Sequence, residues 1–320
     1  MNNIQFNSLL ALIDDFTNEQ RDIFKKVIDG ECDFEKIVMI LDSRLLIKKE
    51  CPFCQSTKVR KWGRQSGIQR MQCVNCRKTY NALTGTPLAR LRKKEEWLNM
   101  AQALKEGMTI KKTAEKCGAS IPTAFRWRHR FLKAMKDDMP TKLEGIAEAD
   151  ETYFLASHKG ERHLPRKPRK RGGKASKPGL SSEQIPVLIA RDRVGGVVDA
   201  VLPDQTTGSI RLVLGERVSR ENILCIDGGN ALWGFVSQEK IPCKVIPAGK
   251  HVHERNPIFH IQNVNGYHSR LKEWMFRFHG VATKYLPNYL GWRRAYELGK
   301  ATTPTAWMQA AVKPEAQLLT

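Results

Sequence analysis

Residues 146–155 read IAEADETYFL, and residues 223–229 read ILCIDGG. Both stretches are rich in strand-forming residues, and each contains an aspartate, Asp150 in the first and Asp227 near the end of the second. The surrounding pattern predicts further strands at 185–191, 197–202 and 243–246, and helices at 209–218, 230–238 and 261–279. Because strands and helices alternate, we predict an α/β domain over residues 141–302.

The two aspartates are candidate metal ligands. We expect an RNase H-like sheet, in which the first and fourth strands are neighbours, so that Asp150 and Asp227 meet at one edge. The last predicted helix offers Asn265 as a third oxygen ligand, and Lys272 lies two turns later on the same helical face. Such a set can hold two Mg²⁺ or Mn²⁺ ions about 3.5–4 Å apart for in-line phosphoryl transfer, with Lys272 binding a substrate phosphate. His268, one turn after Asn265, is a candidate to contact DNA or to support the site.

Other acidic residues compete for these roles. Strand alternation puts Glu148 on the same face as Asp150 and Glu151 on the opposite face, which makes Glu151 the weaker rival. Glu254 and Glu273 are alternative third carboxylates. A single aspartate after a strand is more often a turn residue or a helix cap than a ligand, so the prediction depends on these residues occurring together.

A second cluster of potential metal ligands lies nearer the N-terminus. Cys51 and Cys54 form one CxxC pair, and Cys73 and Cys76 form a second after 18 intervening residues. Four thiolates at this spacing can bind a structural Zn²⁺ tetrahedrally, with a β-hairpin between the two pairs. A redox pair needs only one CxxC, so the doubled motif favours zinc. We predict a zinc ribbon over residues 47–84.

Positive charge is concentrated around this predicted ribbon. The chain has 54 Lys and Arg against 33 Asp and Glu, a net charge of +21, and residues 51–94 contain eleven basic residues and no acidic one. Such an excess favours a polyanionic partner, because neutralised phosphates release their counterions. We therefore expect double-stranded DNA as the partner, and the predicted contacts in the ribbon are Arg60, Lys61, Arg64 and Arg70.

Residues 85–140 have the pattern of a helix-turn-helix domain. Gly118 is placed at the turn, and Ser120 is a suitable N-cap for the third helix. The predicted helices are 95–106, 110–117 and 121–135. The third helix is predicted to face the core with Phe125, Phe131 and Leu132. Its basic residues are then left for a DNA groove, with predicted contacts from Arg126, Arg128 and Arg130. The alternative is an ordinary three-helix bundle with a basic surface.

Three further segments complete the predicted organisation. Residues 1–46 are predicted to be helical, with a capping box at Thr17–Gln20. Residues 156–183 are a basic insertion, interpreted as an arm on the DNA backbone with contacts from Arg169, Lys170 and Arg171; a solvated loop is the alternative. Residues 303–320 are predicted to be a C-terminal tail, Ala-rich and helical with a frayed end. The fold class is therefore multidomain α+β, with N-terminal helices, a zinc ribbon, a helix-turn-helix and an α/β domain.

The composition argues against a membrane protein. The chain has no run of 18 or more apolar residues and does not open with a signal-peptide pattern. The four cysteines outside the CxxC pairs are scattered singly, which is typical of a reducing compartment. We therefore expect a cytoplasmic protein, and the family resemblance given next implies that it is bacterial and associated with the nucleoid.

The chain resembles the ISXO-like insertion-sequence transposases of bacteria over about residues 51–300. The resemblance depends on the CxxC pairs, the helix-turn-helix, DETYF at 150–154, the basic insertion after it, and IDG at 226–228. Members of this family have a histidine, an acidic residue followed by G-F/Y-W, and a downstream lysine. The corresponding residues here are His260, Asn265, Gly266, Tyr267 and Lys272.

This resemblance implies an integrase-type catalytic domain whose triad is Asp150, Asp227 and Asn265, and an activity of transposon excision and insertion. The chain departs from the family pattern at Asn265, where the usual residue is glutamate. The leading hypothesis is therefore a transposase that binds terminal inverted repeats and acts as a homo-oligomer on DNA. A non-catalytic DNA-binding regulator, favoured by the neutral Asn265, and a nuclease that cuts without joining are the alternatives.

Overall fold

The computed structural model describes most of the chain. The described residues are 3–13, 15–18, 20–21, 24–25, 33–47, 49–164, 167, 173, 175–176, 181, 183–247, 249–250, 252–253, 256–300 and 302–313. Four residues singled out from the sequence lie outside this described part, namely Arg169, Lys170, Arg171 and Glu254. The chain divides into two compact units, the first made of Met1–Ala134 with Thr302–Thr320 and the second of Met135–Ala301.

The helices and strands follow the sequence pattern closely. In chain order they are α1 (Asn3–Ile13), α2 (Asp33–Ile47), β1 (Val59–Gln65), β2 (Ile68–Cys73), β3 (Thr79–Asn81), α3 (Trp97–Lys105), α4 (Ile110–Lys116), α5 (Ile121–Lys133), β4 (Ile146–Leu155), β5 (Gln184–Asp192), β6 (Val197–Val201), α6 (Thr207–Leu214), β7 (Ile223–Ile226), α7 (Asn230–Glu239), β8 (Cys243–Val245), α8 (Gln262–Phe276), α9 (Leu286–Glu297) and α10 (Pro304–Ala311). Single 3₁₀ turns precede α3 and α9.

In the first unit, β1, β2 and β3 form an antiparallel sheet in that order. The β1–β2 hairpin closes at the pair Gln65–Ile68. Between them Ser66 and Gly67 have φ angles of 50° and 74°, the left-handed backbone that a tight two-residue hairpin turn requires. The predicted hairpin between the two CxxC pairs is confirmed.

Helices α3, α4 and α5 form the predicted three-helix arrangement, and α10 packs against α3. Trp97 and Phe131 are buried with their ring centroids 6.0 Å apart in an edge-to-face arrangement. The Trp307 side chain of α10 is also completely buried. The predicted C-terminal tail at 303–320 is helical over Pro304–Ala311 as expected, and this helix also contributes to the core of the first unit.

The second unit is built on a five-stranded sheet of order β6-β5-β4-β7-β8. The central strand β4 is antiparallel to β5 and parallel to β7. In order along the unit the strands are therefore arranged 3-2-1-4-5, and the first and fourth are neighbours as predicted. This order places the end of β7 beside the middle of β4, where Ala149 pairs with Ile226.

The two faces of this sheet have different chemistry. On the face that we call the apolar face, Ala147, Ala149 and their neighbours pack in a hydrophobic cluster with residues of α6 and α7. On the face that we call the charged face, Glu148 and Asp150 project toward α8, which contacts β4 and β5. The alternation of side chains along β4 thus separates a hydrophobic core from a layer of ionisable groups.

Buried ion pairs hold the helices of the charged face in place. Asp199 on β6 accepts a hydrogen bond from the Tyr267 hydroxyl at 2.8 Å and forms an ion pair with Arg294 of α9. Arg294 also donates to the carbonyl oxygen of Met135 at 3.0 Å. At Gly291, a Cβ atom would lie 2.6 Å from the Met135 oxygen, so only glycine allows α9 to approach this closely.

Candidate active site and nucleic-acid interface

Asp150 and Asp227 lie side by side on the charged face of the second unit. Their preceding residues, Ala149 and Ile226, are direct partners in the parallel β4–β7 pair, and residues opposite each other in such a pair point to the same face. The Asp227 carboxylate is exposed and accepts a hydrogen bond from the Gly229 N–H at 2.9 Å. The Asp150 side chain is 18% exposed. The structure thus brings the two predicted aspartates together at one edge of the sheet.

The electrostatics of this edge favour a cation. Burial, together with the neighbouring charge of Asp227, raises the pKa of Asp150 to about 6, against smaller lowering effects from the Glu151 N–H and Lys272. Two carboxylates at one place disfavour their joint ionisation unless a positive charge lies between them. The arrangement of Asp150 and Asp227 is therefore suited to bind a divalent metal ion through oxygen ligands.

Helix α8 brings the remaining predicted residues to the same edge. Asn265, His268 and Lys272 are spaced by three and four residues, so they lie along one stripe of the helix. The next stripe is buried and consists of Val264, Tyr267, Leu271 and Trp274. The Nδ1 atom of His268 lies 3.7 Å from Oδ2 of Asp150. The stripe that carries Asn265 therefore faces the aspartates, with Asn265 half-buried and Lys272 exposed.

His268 has a closer contact with the site than the sequence indicated. Its side chain is buried, and its Nε2 atom has no hydrogen-bond partner among the described residues. Burial and the positive charge of Lys272 lower the pKa of His268 to about 4, so the ring is neutral at pH 7. A neutral imidazole can place a ring N–H toward Asp150 without adding a positive charge.

The structure places the three alternative acidic ligands, Glu148, Glu151 and Glu273, in different environments. Glu148 on β4 is completely buried against Arg193 and α8, so its side chain is not accessible from the edge where Asp227 lies. Glu151 lies close enough to interact with both aspartates: burial and the charges of Asp150 and Asp227 together raise its pKa to about 7. Glu273 is exposed on α8, next to Lys272 rather than on the stripe of Asn265.

The four CxxC cysteines gather in the first unit. Their sulfur atoms lie within 4.8 Å of one another, with Cys51 Sγ 3.6 Å from Cys76 Sγ and Cys54 Sγ 3.6 Å from Cys73 Sγ. Disulfide sulfurs would be about 2.05 Å apart, whereas ligands at about 2.3 Å from a tetrahedral zinc ion are about 3.8 Å apart. The backbone N–H of Cys76 is the largest influence on Cys73 and helps to lower its pKa to about 6, which favours the thiolate that binds metal.

The two cysteine loops also share a backbone conformation. Gln55, directly after Cys54, and Arg77, directly after Cys76, have φ angles of 58° and 55°. This left-handed conformation is uncommon for residues other than glycine, and its recurrence at equivalent positions shows that both loops form the same turn. The structure thus places two matching turns around one set of four sulfur atoms.

The predicted DNA-contacting residues of the ribbon surround the edge strand β1. Arg60 and Lys61 are exposed, and the Arg60 guanidinium lies 4.9 Å from the ring centroid of the exposed Trp62. Arg64 is exposed but forms an ion pair of 3.0 Å with Asp42. Arg70 is half-buried and donates to the hydroxyl of Thr79. The surface is basic, with Arg64 and Arg70 already engaged within the unit.

The third helix of the helix-turn-helix needs a correction. Ser120 caps α5 as predicted, accepting a hydrogen bond from the Thr123 N–H. Arg126 is exposed, but Arg128 is completely buried and donates to the carbonyl oxygen of Met108 at 2.6 Å. The prediction that Arg128 faces a DNA groove is therefore not met, because its guanidinium supplies hydrogen bonds inside the helical domain.

Phe125 and Arg130 on α5 also differ from the prediction. Trp127 occupies the core, while Phe125 is 38% exposed and packs on the His129 ring with centroids 4.5 Å apart. Arg130 is half-buried and donates to the carbonyl oxygens of Pro87 and Ala89. Arg130 therefore holds the segment that precedes α3.

That segment forms one wall of a groove in the first unit. The groove has a volume of about 590 Å³, and its lining contains Arg90, Arg92 and Lys94 but no acidic residue. Phe53 also lines it and carries the Lys78 ammonium 4.9 Å from its ring centroid. A groove with cations and an exposed aromatic ring has the chemistry of a surface that binds a nucleic-acid strand.

Among the described residues, no helix has both the length and the apolar character needed to cross a membrane.

Two family models match the chain. Residues 142–293 match the ISXO2-like transposase domain, and residues 91–136 match a homeodomain-like domain. A protein of Halobacterium salinarum, described as an uncharacterized protein in transposable element ISH50, is 27% identical over 253 residues, which are 78% of this chain and 84% of the relative. These findings confirm the resemblance to insertion-sequence transposases and the helix-turn-helix.

Two solved structures are similar to parts of the chain. A chain of the simian T-cell lymphotropic virus intasome in complex with a PP2A regulatory subunit is 12% identical, with a TM-score of 0.28, over 61% of this chain and 66% of its own. A chain of a pre-cleavage Mos1 transpososome is 14% identical, with a TM-score of 0.21, over 66% of this chain and 76% of its own. These TM-scores are too low to establish a shared fold.

Proposed function

We propose that the protein cleaves DNA at the ends of an insertion sequence and transfers the strands to target DNA by two-metal phosphoryl transfer. The match of residues 142–293 to the ISXO2-like transposase domain supports this proposal. The observation that carries the proposal is the placement of Asp150 and Asp227 side by side on neighbouring parallel strands. The 3-2-1-4-5 strand order supports an RNase H-like arrangement of this domain.

In this proposal Asp150, Asp227 and Asn265 supply the oxygen ligands for Mg²⁺ or Mn²⁺. When bound, the ions would activate a water or a DNA 3′-hydroxyl and stabilise the leaving oxygen. The residues present fit such ions, since the unfavourable proximity of two carboxylates is relieved by divalent charge. Asn265 contributes an oxygen without charge, so the two aspartates supply most of the attraction.

The remaining residues of the stripe on α8 have separate roles. Lys272 is exposed beside the aspartates, where its ammonium group would bind a phosphate of the DNA backbone. His268, as a neutral ring close to Asp150, would orient that carboxylate. Both roles hold the reacting phosphodiester and its ligands in a fixed geometry, which is the protein's main contribution to phosphoryl transfer.

DNA binding is assigned to the first unit. The cysteine cluster would hold a structural zinc ion that fixes the ribbon, and the exposed Arg60 and Lys61 would contact phosphates. On α5, Arg126 is the exposed basic residue available to a groove. The acid-free groove beside Arg90 and Arg92 would take a further stretch of the DNA backbone. A homo-oligomer on two DNA ends completes the proposal.

The test is a strand-transfer assay with DNA that contains the element's ends. We expect joined products in Mg²⁺ or Mn²⁺ and none in EDTA. Asp227→Asn should abolish the products while DNA binding, measured by gel shift, is kept. Glu216→Gln, at an exposed acid just after α6, is the matched control and should behave as the unsubstituted protein. Full activity of Asp227→Asn would rule out the proposed site.

A non-catalytic DNA-binding regulator is the second candidate, and the neutral Asn265 is the observation that favours it. A regulator of this kind would bind terminal DNA with sequence preference but produce neither cleaved nor joined strands in any divalent metal ion. Hydrolysed ends without joined products would instead identify a nuclease. The same assay therefore separates all three functions.

A further inference from the structure

A completely buried carboxylate lies directly beneath the proposed metal-binding edge. Glu148 has no exposed surface, although it is only two residues before Asp150 and on the same face of β4. Burying a charge is unfavourable unless partners compensate for the lost water. The partners of Glu148 therefore indicate what the buried charge does.

Those partners come from two other parts of the second unit. Glu148 Oε1 lies 2.9 Å from Nη1 of Arg193, which follows β5, and the same Nη1 lies 3.2 Å from Nδ1 of His260, which precedes α8. Glu148 Oε2 accepts a hydrogen bond of 2.9 Å from the backbone N–H of Val264 in the first turn of α8. One carboxylate thus connects the central strand to the start of the helix that carries Asn265.

The start of α8 has no cap of its own. Ile261 occupies the N-cap position and cannot offer a side-chain oxygen to the free N–H groups of the first turn. Glu148 supplies that acceptor from the neighbouring strand, and its negative charge lies at the positive end of the helix dipole. The helix is therefore capped by a residue 116 positions away along the chain.

Arg193 and His260 complete the connection. Nη2 of Arg193 donates to the carbonyl oxygen of Ile258 at 3.2 Å, and its Nη1 also lies against the His260 ring. His260 Nδ1 accepts a hydrogen bond from the Gln262 N–H at 3.3 Å. These contacts fix the segment that leads into α8 beside Glu148.

We propose that Glu148, with Arg193 and His260, is a positioning residue that sets the distance between the Asp150 ligand on β4 and the Asn265 ligand on α8. Glu148 precedes Asp150 by two residues and binds the residue directly before Asn265. Its Oε2 accepts the Val264 hydrogen bond, its Oε1 faces Arg193 in an ion pair, and the side chain is shielded from solvent, so it is not a metal ligand itself. The inference rests on the proposed two-metal function and adds the group that keeps its ligands in register.

The test compares Glu148→Gln with the unsubstituted protein by calorimetric titration with Mn²⁺, using proteins that keep their structural zinc and contain no other divalent ion. Glutamine preserves size but has one oxygen instead of two and no charge for Arg193. We expect Mn²⁺ affinity to fall about tenfold or more, as for other groups that orient metal ligands. DNA binding should not change, because the first unit is untouched.

A matched control separates positioning from general loss of stability. Leu214→Ala removes a completely buried side chain from the apolar face, away from Glu148, and should lower Tm while leaving Mn²⁺ affinity within about twofold. Arg193→Gln provides a second, partly exposed variant in case Glu148→Gln does not fold. It should weaken Mn²⁺ binding in the same direction.

Unchanged Mn²⁺ affinity in folded Glu148→Gln, or in Arg193→Gln if the former is unfolded, would overturn the positioning role. An equal loss in Leu214→Ala would also overturn it, since the effect would then be general. Failure of the proposed function itself has a different signature: Asp150→Asn and Asp227→Asn would bind Mn²⁺ as tightly as the unsubstituted protein.

Discussion

The apolar and charged faces of the five-stranded sheet are built from alternate residues of the same strands. On the apolar face, Ala147 and Ala149 pack in a cluster that consists of hydrophobic side chains. On the charged face, Glu148, Asp150 and Asp199 each meet a partner of defined chemistry. Hydrophobic burial is non-directional, whereas a buried charge requires a partner at a defined position. Stability therefore comes mainly from one face and the geometry of the site from the other.

The largest effect is expected from removing an aspartate from the charged face. Asp150→Asn should reduce the rate of strand transfer by about a thousandfold, because a catalytic metal ion contributes several kcal/mol to the transition state. The variant should unfold at the same or a higher temperature, since repulsion with Asp227 is removed. Rates from a time course and Tm from calorimetry check both parts; a large fall in Tm would mean that Asp150 is structural.

The reverse experiment acts on the apolar face. Leu214→Ala should lower the free energy of unfolding by about 2–5 kcal/mol through lost burial and an internal cavity. Strand transfer at a temperature where the variant is folded should be unchanged. Urea unfolding and the rate assay together test this separation, and a specific loss of rate would show that the two faces are coupled.

The Asp150 carboxyl should also make the stability of the protein depend on pH. The Asp150 carboxyl has its pKa raised from 3.8 to about 6 in the folded protein, so its ionised form destabilises the fold. This destabilisation is present above about pH 6 and is lost as the pH falls toward 3.8. Lowering the pH from 7 to 5 should therefore stabilise the metal-free protein by about 1 kcal/mol relative to Asp150→Asn. Urea unfolding of both proteins at the two pH values measures the difference, and parallel pH profiles would contradict it.

The neutral ligand on α8 provides a further test of the charged face. Asn265→Asp adds a third negative charge to the edge and should tighten Mn²⁺ binding by about tenfold, because ligand charge tunes the affinity of oxygen sites. Asn265→Ala should weaken binding instead. Calorimetric titration of both variants tests the placement, and identical affinities would show that residue 265 does not reach the ions.

The sequence predicted the sheet better than it predicted the surroundings of its charges. The short run at Ile223–Ile226 matches its predicted limits, because an apolar run bounded by polar residues defines a buried strand. Helix α6 begins at Thr207 rather than at 209, since the Thr206 hydroxyl caps it by accepting the Ser209 N–H. Local patterns thus locate elements to within a few residues.

Contacts between distant parts of the chain explain the differences. Alternation correctly placed Glu148 on the same face as Asp150. It could not show that α8 covers Glu148 and separates it from the edge where Asp227 lies. On α5, the prediction placed Phe125 in the core, whereas Trp127 is the buried residue, and the buried Arg128 depends on the Met108 carbonyl in the loop between α3 and α4. Partners that are remote in sequence leave no trace in a local pattern.

Helix α10 has a consequence for the order in which the molecule is made. Its Trp307 fills the core of the first unit, and Arg44 of α2 donates to the Val312 carbonyl just beyond it. The ribosome therefore has to synthesise all of residues 135–301 before the first unit can acquire its last packing helix. A chain that stops before residue 302 would leave the first unit with an open hydrophobic core, which exposes it to proteolysis.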